Sequence, residues 1–254
     1  MSDYPTTFFG WVAMLIQKYG SDFLRGTGVT LELAILGTIL GCVLGFAIGL
    51  VQSVTIDRHA STPSKVLTKI LKFIVALYVE VFRGTPMMVQ AMVIYYGSMT
   101  IFNLDIPSFG AGVLVLSLNT GAYMAESVRG AICGIDPGQM EGGQAIGMSY
   151  VQTMTHVIIP QAFRNLIPQI GNMFVSNIKD TSVLNVISVT EIYFIARTVS
   201  GTYYKFFETY SIICLIYLVL TFVTSRLLRL LEKHLSGSKN YELVLEDVDE
   251  EEAA

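Results

Sequence analysis

Ile135-Asp136-Pro137-Gly138-Gln139-Met140-Glu141-Gly142-Gly143-Gln144-Ala145-Ile146-Gly147-Met148-Ser149 is a small, polar, glycine-rich stretch set between long apolar segments of a 254-residue chain. Asp136 reads as an N-cap, Pro137 as the first helical residue and Gln139 as the reciprocal partner of a capping box. Gly147 fits a left-handed C-terminal cap. Ser149 and Gln152 repeat the capping-box spacing, and Pro160 bounds the segment that follows. The expected structure is two short helices with a glycine elbow, each too short to cross a bilayer. An ordered loop of this length between apolar spans carries contacts or function rather than mere connection.

The flanks are membrane-like. The chain is 52% apolar and only 14% charged, with a mean hydropathy of +0.57, which places it with integral membrane proteins. Its net charge of −4 is dominated by acid in the run Glu242–Glu252, which reads as a disordered, solvated extension. The basic residues form no stripe, so nucleic acid is not an expected partner. Cys42, Cys133 and Cys214 are odd in number and lie in or beside apolar segments. They read as small hydrophobes. No cleavable signal peptide is expected, because Asp3 and Asp22 precede the first apolar segment and no small-residue cleavage pattern appears.

In chain order, residues 1–25 form an N-terminal segment on which Phe8, Trp11, Val12, Leu15 and Ile16 recur at helical spacing. An amphipathic helix lying on the membrane surface is expected there, the alternative being a weakly ordered terminus. Five spans follow, at 26–54, within 67–101, and near 110–130, 167–196 and 208–231. Together they make an all-α polytopic membrane domain over 26–235, with an acidic tail at 236–254. On the first span Gly37, Gly41, Gly45 and Gly49 fall four apart, a face for close helix packing. The second is interrupted at Pro86, which removes a backbone donor and predicts a kink or break.

Lys and Arg orient the spans. Arg58, Lys65, Lys69, Lys72, Arg129, Arg164, Arg226, Arg229, Lys233 and Lys239 fall on one side, against Lys18, Arg25, Arg197 and Lys205 on the other. The positive-inside rule puts the N-terminus outside, and the 136–160 loop and C-terminus in the cytoplasm.

Glu141-Gly142-Gly143, three residues, Gly147, nine residues, Val157, one residue, Ile159-Pro160 resembles the EAA loop of bacterial ABC importer permeases. That loop reads Glu-Ala-Ala, three residues, Gly, nine residues, Ile, one residue, Leu-Pro. This chain departs from it at Gly142 and Gly143, and at Val157 and Ile159. Two glycines weaken a helix by about 1 kcal/mol each relative to Ala, so the partner is expected to help form the docked geometry. Val79-Glu80-Val81-Phe82-Arg83-Gly84-Thr85-Pro86, Ser117–Glu126 and Lys179-Asp180-Thr181-Ser182 resemble the branch that takes up polar amino acids. The resemblance covers about residues 20 to 235.

It implies a type I (MetI-like) importer domain in a bacterial inner or plasma membrane. It also implies two ATP-binding subunits, a second permease of the same or a related kind, and an extracytoplasmic substrate-binding protein. This chain binds no cofactor of its own in that scheme, ATP and Mg²⁺ residing on the ATPase. Glu141, Gly142, Gly143, Ala145, Gly147, Met148 and Ser149 would meet that subunit.

Charges within spans tend to face the protein interior or a water-filled path. Glu32, Glu80, Arg83, Glu126, Lys179 and Asp180 are that set, joined by the polar residues Thr85, Asn119, Tyr123 and Ser176. Asn119, Tyr123 and Glu126 share a face at i, i+4 and i+7, with Asn119 near mid-membrane. Ser176 and Lys179 share one at i and i+3, bordered by Asp180. One reading is a midplane pocket for a polar amino acid, in which acids meet its ammonium while Lys179 or the broken helix end near Pro86 meets its carboxylate. The other is that Glu80–Arg83 and Glu126–Arg129 merely neutralise one another. No phosphate-binding loop, serine-hydrolase motif or metal-ligand spacing occurs, and His59, His156 and His234 are isolated. A passive channel and a membrane-embedded enzyme are the alternative classes. The channel leaves the capped loop without a task, and the enzyme lacks a catalytic inventory.

Overall fold

A computed structural model describes residues 4–54 and 61–235. The acidic run Glu242–Glu252, Arg58, His59 and Lys239 lie outside them. The described elements are α1 (Phe8–Ser53), α2 (Thr62–Gly84), α3 (Met87–Phe102), α4 (Ser108–Cys133), α5 (Pro137–Ala145), α6 (Tyr150–Thr153), α7 (Ile159–Asp180), α8 (Ile192–Tyr203) and α9 (Phe206–Leu235). A π-turn, Met154–Ile158, joins α6 to α7, and a 3₁₀ segment, Thr181–Ile187, follows α7.

The glycine face of α1 sets the architecture. Gly37 lies on Leu116, Gly41 on Thr120, Gly45 on Met124 and Gly49 on Val128. Each step of four along α1 is matched by a step of four in the same direction along α4, so the two helices run parallel. A Cβ at any of the four would fall 2.4–2.6 Å from its neighbour, which is why small residues are needed for this approach. A buried polar lock ties the pair to α7: Asn177 Nδ2 donates to Thr38 Oγ1 at 2.8 Å and to Thr120 Oγ1 at 3.0 Å. Because α1 and α4 are parallel, α2 and α3 together carry the chain back along their length.

Three expectations change. First, α1 is one uninterrupted 46-residue helix, about 69 Å long at 1.5 Å per residue. The N-terminal segment is thus its first turns, with no separate surface helix. Leu15 and Phe23 pack on Ile192, Ala196 and Val199 of α8 and on Ile212 and Ile213 of α9, and that tertiary burial outweighs a membrane-surface seat. Second, Pro160 does not bound the segment opened at Ser149. The π-turn makes room for its ring, Ile159 N–H reaching back to Met154 O, and the rod continues into α7. Third, among the described residues three helices are long and apolar enough to span a bilayer, or four if the 55° bent pair Tyr150–Ile187 and Ile192–Tyr203 counts as one. Five are not reached by this measure, because the second predicted span divides at Pro86 into α2 and the short α3.

Glu191 joins the remaining helices. It is fully buried and caps α8 by accepting from Phe194 N–H at 2.8 Å, and it also accepts from Tyr217 OH of α9 at 3.1 Å. These bonds offset the cost of burying a carboxyl group.

Candidate functional site

The expected break falls where Pro86 put it. Thr85 is extended (φ −122°, ψ 147°), as a residue before proline prefers, and α3 starts at Met87. Gln90, 7% exposed, fills the break. Its Nε2 donates to Phe82 O at 2.8 Å, Thr85 O at 2.9 Å and Thr85 Oγ1 at 2.8 Å. Carbonyls that lose helix partners at the break are thereby satisfied. From α4, Asn119 Nδ2 donates to Gln90 Oε1 at 3.1 Å.

Beside this junction is a cavity of about 390 Å³ lined by Thr85, Pro86, Met87, Asn119, Tyr123, Met173, Ser176, Asn177, Asp180 and Val183. Of the residues singled out in the sequence, Thr85, Asn119, Tyr123, Ser176 and Asp180 meet here. Asn119 and Tyr123 lie 11 and 15 residues into the 26-residue α4, near its middle.

The others do not line it. Lys179 turns to a second cavity, with Ser182, Tyr193, Tyr210 and Tyr217. The helical turn explains the parting: Asp180, four residues after Ser176, stays on its face, whereas Lys179 falls on the adjoining flank. Glu126 takes no part in the cavity but pairs with both Arg129 and Arg83, the latter at 3.8 Å. Arg83 also lies over the Tyr123 ring, 5.5 Å from its centroid. The neutralising pair Glu126–Arg129 therefore forms, while Glu80 remains exposed and makes no ion pair among the described residues. Glu32 is exposed on α1, away from the cavity.

Sequence reasoning missed Gln90, Asn177 and Glu191. The first two are neutral amides, which a search for intramembrane charge passes over, although an unpaired buried amide is costly too. The available signal was position: Gln90 is four residues past Pro86, one turn into the helix that follows the break.

The loop at 136–160 is built largely as its caps direct. Asp136 Oδ1 accepts from Gly138 N–H at 2.8 Å. Gln139 does not reciprocate; its Oε1 accepts from Gln161 Nε2 at 3.3 Å, tying α5 to α7. Gly147 sits at φ +90°. Met148 N–H reaches Gly143 O and Gly147 N–H reaches Gln144 O, both at 3.0 Å, the paired bonds of a Schellman cap. Ser149 and Gln152 complete their capping box. The elbow presents Ile146, 80% exposed, and Val151, 65% exposed, beside the exposed Glu141 and Ala145.

The two glycines are not equivalent. α5 is helical over Pro137–Ala145 with both glycines inside it. A Cβ on Gly143 would lie 2.6 Å from Thr153 Cγ2, whereas one on Gly142 meets nothing within 4 Å. Gly142→Ala is expected to stabilise α5 by about 0.5–1 kcal/mol, and Gly143→Ala to pry α5 from α6. Amide hydrogen exchange along α5 should slow in the first variant and quicken in the second; equal protection in both would contradict this packing.

A broken helix thus lies beside a polar cavity, and α7 joins that cavity to a capped two-helix elbow in a chain whose described helices include several long and apolar enough to cross a membrane. Residues 60–237 match the family described as binding-protein-dependent transport system inner membrane component, and the chain belongs to it. Among its relatives, the glutamine transport system permease protein GlnP of Escherichia coli (strain K12) is 34% identical over 84% of this chain and 92% of its own length. The arginine transport system permease protein ArtQ of Bacillus subtilis (strain 168) is 31% identical over 85% and 93%. A chain from the crystal structure of an amino acid ABC transporter with histidines superposes at a TM-score of 0.77, with 37% identity, covering 87% of this chain and 97% of that one. An inward-facing MetNI methionine ABC transporter shares the fold at a TM-score of 0.67 and 18% identity, over 84% and 95%. This is an ABC transporter permease of the amino acid class, with the type I importer fold.

Proposed function

We propose that this permease moves a polar amino acid, of the glutamine/glutamate or the arginine/histidine/lysine class, into the cell by ATP-driven alternating access. The observation that carries the reading is the cavity between α3, α4 and α7. Its volume falls within the range of about 300–1,000 Å³ usual for small-molecule sites. Its lining has one carboxylate, Asp180, and no Lys or Arg, which suits an ammonium group. Across from it Pro86 and Met87 open α3, whose first N–H groups have no partner within the helix and suit a carboxylate.

The full assembly in this proposal holds two ATP-binding subunits, a second permease and an external substrate-binding protein. The N-terminus is outside and the C-terminus cytoplasmic, with five crossings of which α2–α3 is one broken crossing. ATP binding closes the ATPases, the α5–α6 elbow passes the motion to α7, and the helices around the cavity rock outward. Hydrolysis returns them.

Asp180→Asn is expected to weaken binding of radiolabelled amino acid to the purified permease–ATPase complex by about 10–100-fold, the loss of a charge-assisted hydrogen bond. An unchanged Kd, with uptake intact in vesicles, would remove Asp180 and this cavity from the substrate path.

A further inference from the structure

We infer that Gln90, which does not line the cavity, is a specificity-determining positioning residue: it fixes which end of the Asn119 carboxamide is available to the transported amino acid. The inference rests on the proposed function of the cavity and goes one residue deeper into its wall.

The orientation of each amide follows from its neighbours. Gln90 Nε2 faces Phe82 O and Thr85 O, two carbonyls that only accept. Its third neighbour, Thr85 Oγ1, already donates its proton to Val81 O at 2.7 Å, so it too only accepts. A Gln90 amide turned the other way would set its oxygen against three acceptors. Nε2 must therefore face the broken end of α2, and Oε1 must face α4. The group that meets Oε1 must then be a donor, which makes it Asn119 Nδ2, at 3.1 Å. Asn119 Nδ2 also approaches Phe82 O at 3.4 Å. Both interactions hold the nitrogen end, and Asn119 Oδ1 takes no hydrogen bond among the described residues.

The consequence is chemical polarity in the wall. A residue lining the cavity offers its acceptor end, and it does so alongside the carboxylate of Asp180. The pair is matched to N–H donors: an α-ammonium, or the amide or guanidinium end of a side chain. Three helices are involved in setting it, since the carbonyls of α2 orient Gln90 on α3 and Gln90 orients Asn119 on α4. The Pro86 break is what supplies the freed carbonyls, so the same proline that divides α2 from α3 also sets the direction of the relay.

The test uses the purified permease–ATPase complex without the binding protein, with radiolabelled L-glutamine and L-arginine as probes. Gln90→Met, near-isosteric and unable to accept a strong hydrogen bond, is expected to raise Kd about tenfold. Gln90→Glu is the rescue in its protonated form: at acidic pH the carboxyl O–H donates toward the Phe82 and Thr85 carbonyls while the other oxygen still accepts from Asn119 Nδ2, so Kd measured there is expected to stay within about twofold of wild type. Asn119→Asp, which sets an acceptor against Gln90 Oε1, is expected to raise Kd like Gln90→Met. Should Gln90→Met fail to assemble, Gln90→Glu against Asn119→Asp provides the same contrast. Equal losses in Gln90→Glu and Gln90→Met, or no loss in Asn119→Asp, would overturn the relay and leave Gln90 a structural plug. A wild-type complex that binds neither probe and imports neither with its binding protein would instead overturn the function proposed for the cavity.

Discussion

Gly45→Ala is expected to destabilise the folded permease by about 2–3 kcal/mol, the upper end of the cost of overpacking, and Gly45→Leu to prevent it from folding. The added Cβ would lie 2.4 Å from Met124 Cβ, 2.7 Å from Gly121 O and 2.9 Å from Ala125 N. Two of these atoms are backbone and the third is fixed to it, so no rotamer change gives relief. The α1 and α4 backbones must part, and parting them stretches the Thr38–Asn177–Thr120 lock. Gly28 and Gly97 provide the control, because a Cβ at either meets nothing within 4 Å. Alanine there is expected to be neutral or to stabilise by up to about 1 kcal/mol. Unfolding of the purified protein in mixed micelles, titrated with a denaturing detergent, measures the difference. If Gly45→Ala and Gly28→Ala unfolded at the same point, the tight parallel pair would not be what holds α1 to α4.

That pair also shows which parts of the fold were legible beforehand. Four glycines in register announce a close helix contact, and Pro86 announces a break, because both act through local backbone chemistry. The partner of the glycine face was not legible, since nothing in α1 names Leu116, Thr120, Met124 and Val128. Pro160 misled for a related reason. A proline forbids an ordinary helical turn, but a π-turn evades the prohibition, and that turn is held by the packing of α5 and α7 around it. Within the cavity, periodicity brought Asn119 and Tyr123 together correctly but carried Glu126 along. A face defined at i, i+4 and i+7 runs the length of a helix, and a cavity ends where neighbouring side chains close it. Here Glu126 lies beyond that end and pairs with Arg83, which lies over the Tyr123 ring outside the cavity's lining. The charges drew the eye and turned out to be mostly paired or peripheral. The neutral amides Gln90 and Asn177 hold the helices together and went unnoticed.

The second large effect is expected at the elbow. Ile146→Glu should abolish ATP-driven uptake while leaving the chain folded and in the membrane. Ile146 is an aliphatic side chain 80% exposed at the tip of a capped loop, and it makes no contribution to the buried clusters. With Val151, 65% exposed at the start of α6, it makes an apolar pair on the elbow that the proposed ATPase contact would cover. The rigidity is visible in the bonds: the Schellman pair ends α5, the capping box starts α6, and Gly143 against Thr153 fixes the angle between them. In the proposed mechanism a tip so held is suited to transmit force, because α6 and the π-turn run on into α7, which lines the cavity with Met173, Ser176 and Asp180. Placing a carboxylate at the centre of such a contact typically costs about 2–4 kcal/mol, or about 30- to 1,000-fold in affinity. Co-purification of the ATPase should fail in Ile146→Glu and persist in Gln144→Glu, an exposed position on the same loop. The thermal midpoint of the isolated permease should be unchanged in both. Retained co-purification together with full uptake in Ile146→Glu would show that the elbow's tip is not the grip, and the proposed coupling would then have to run through another surface.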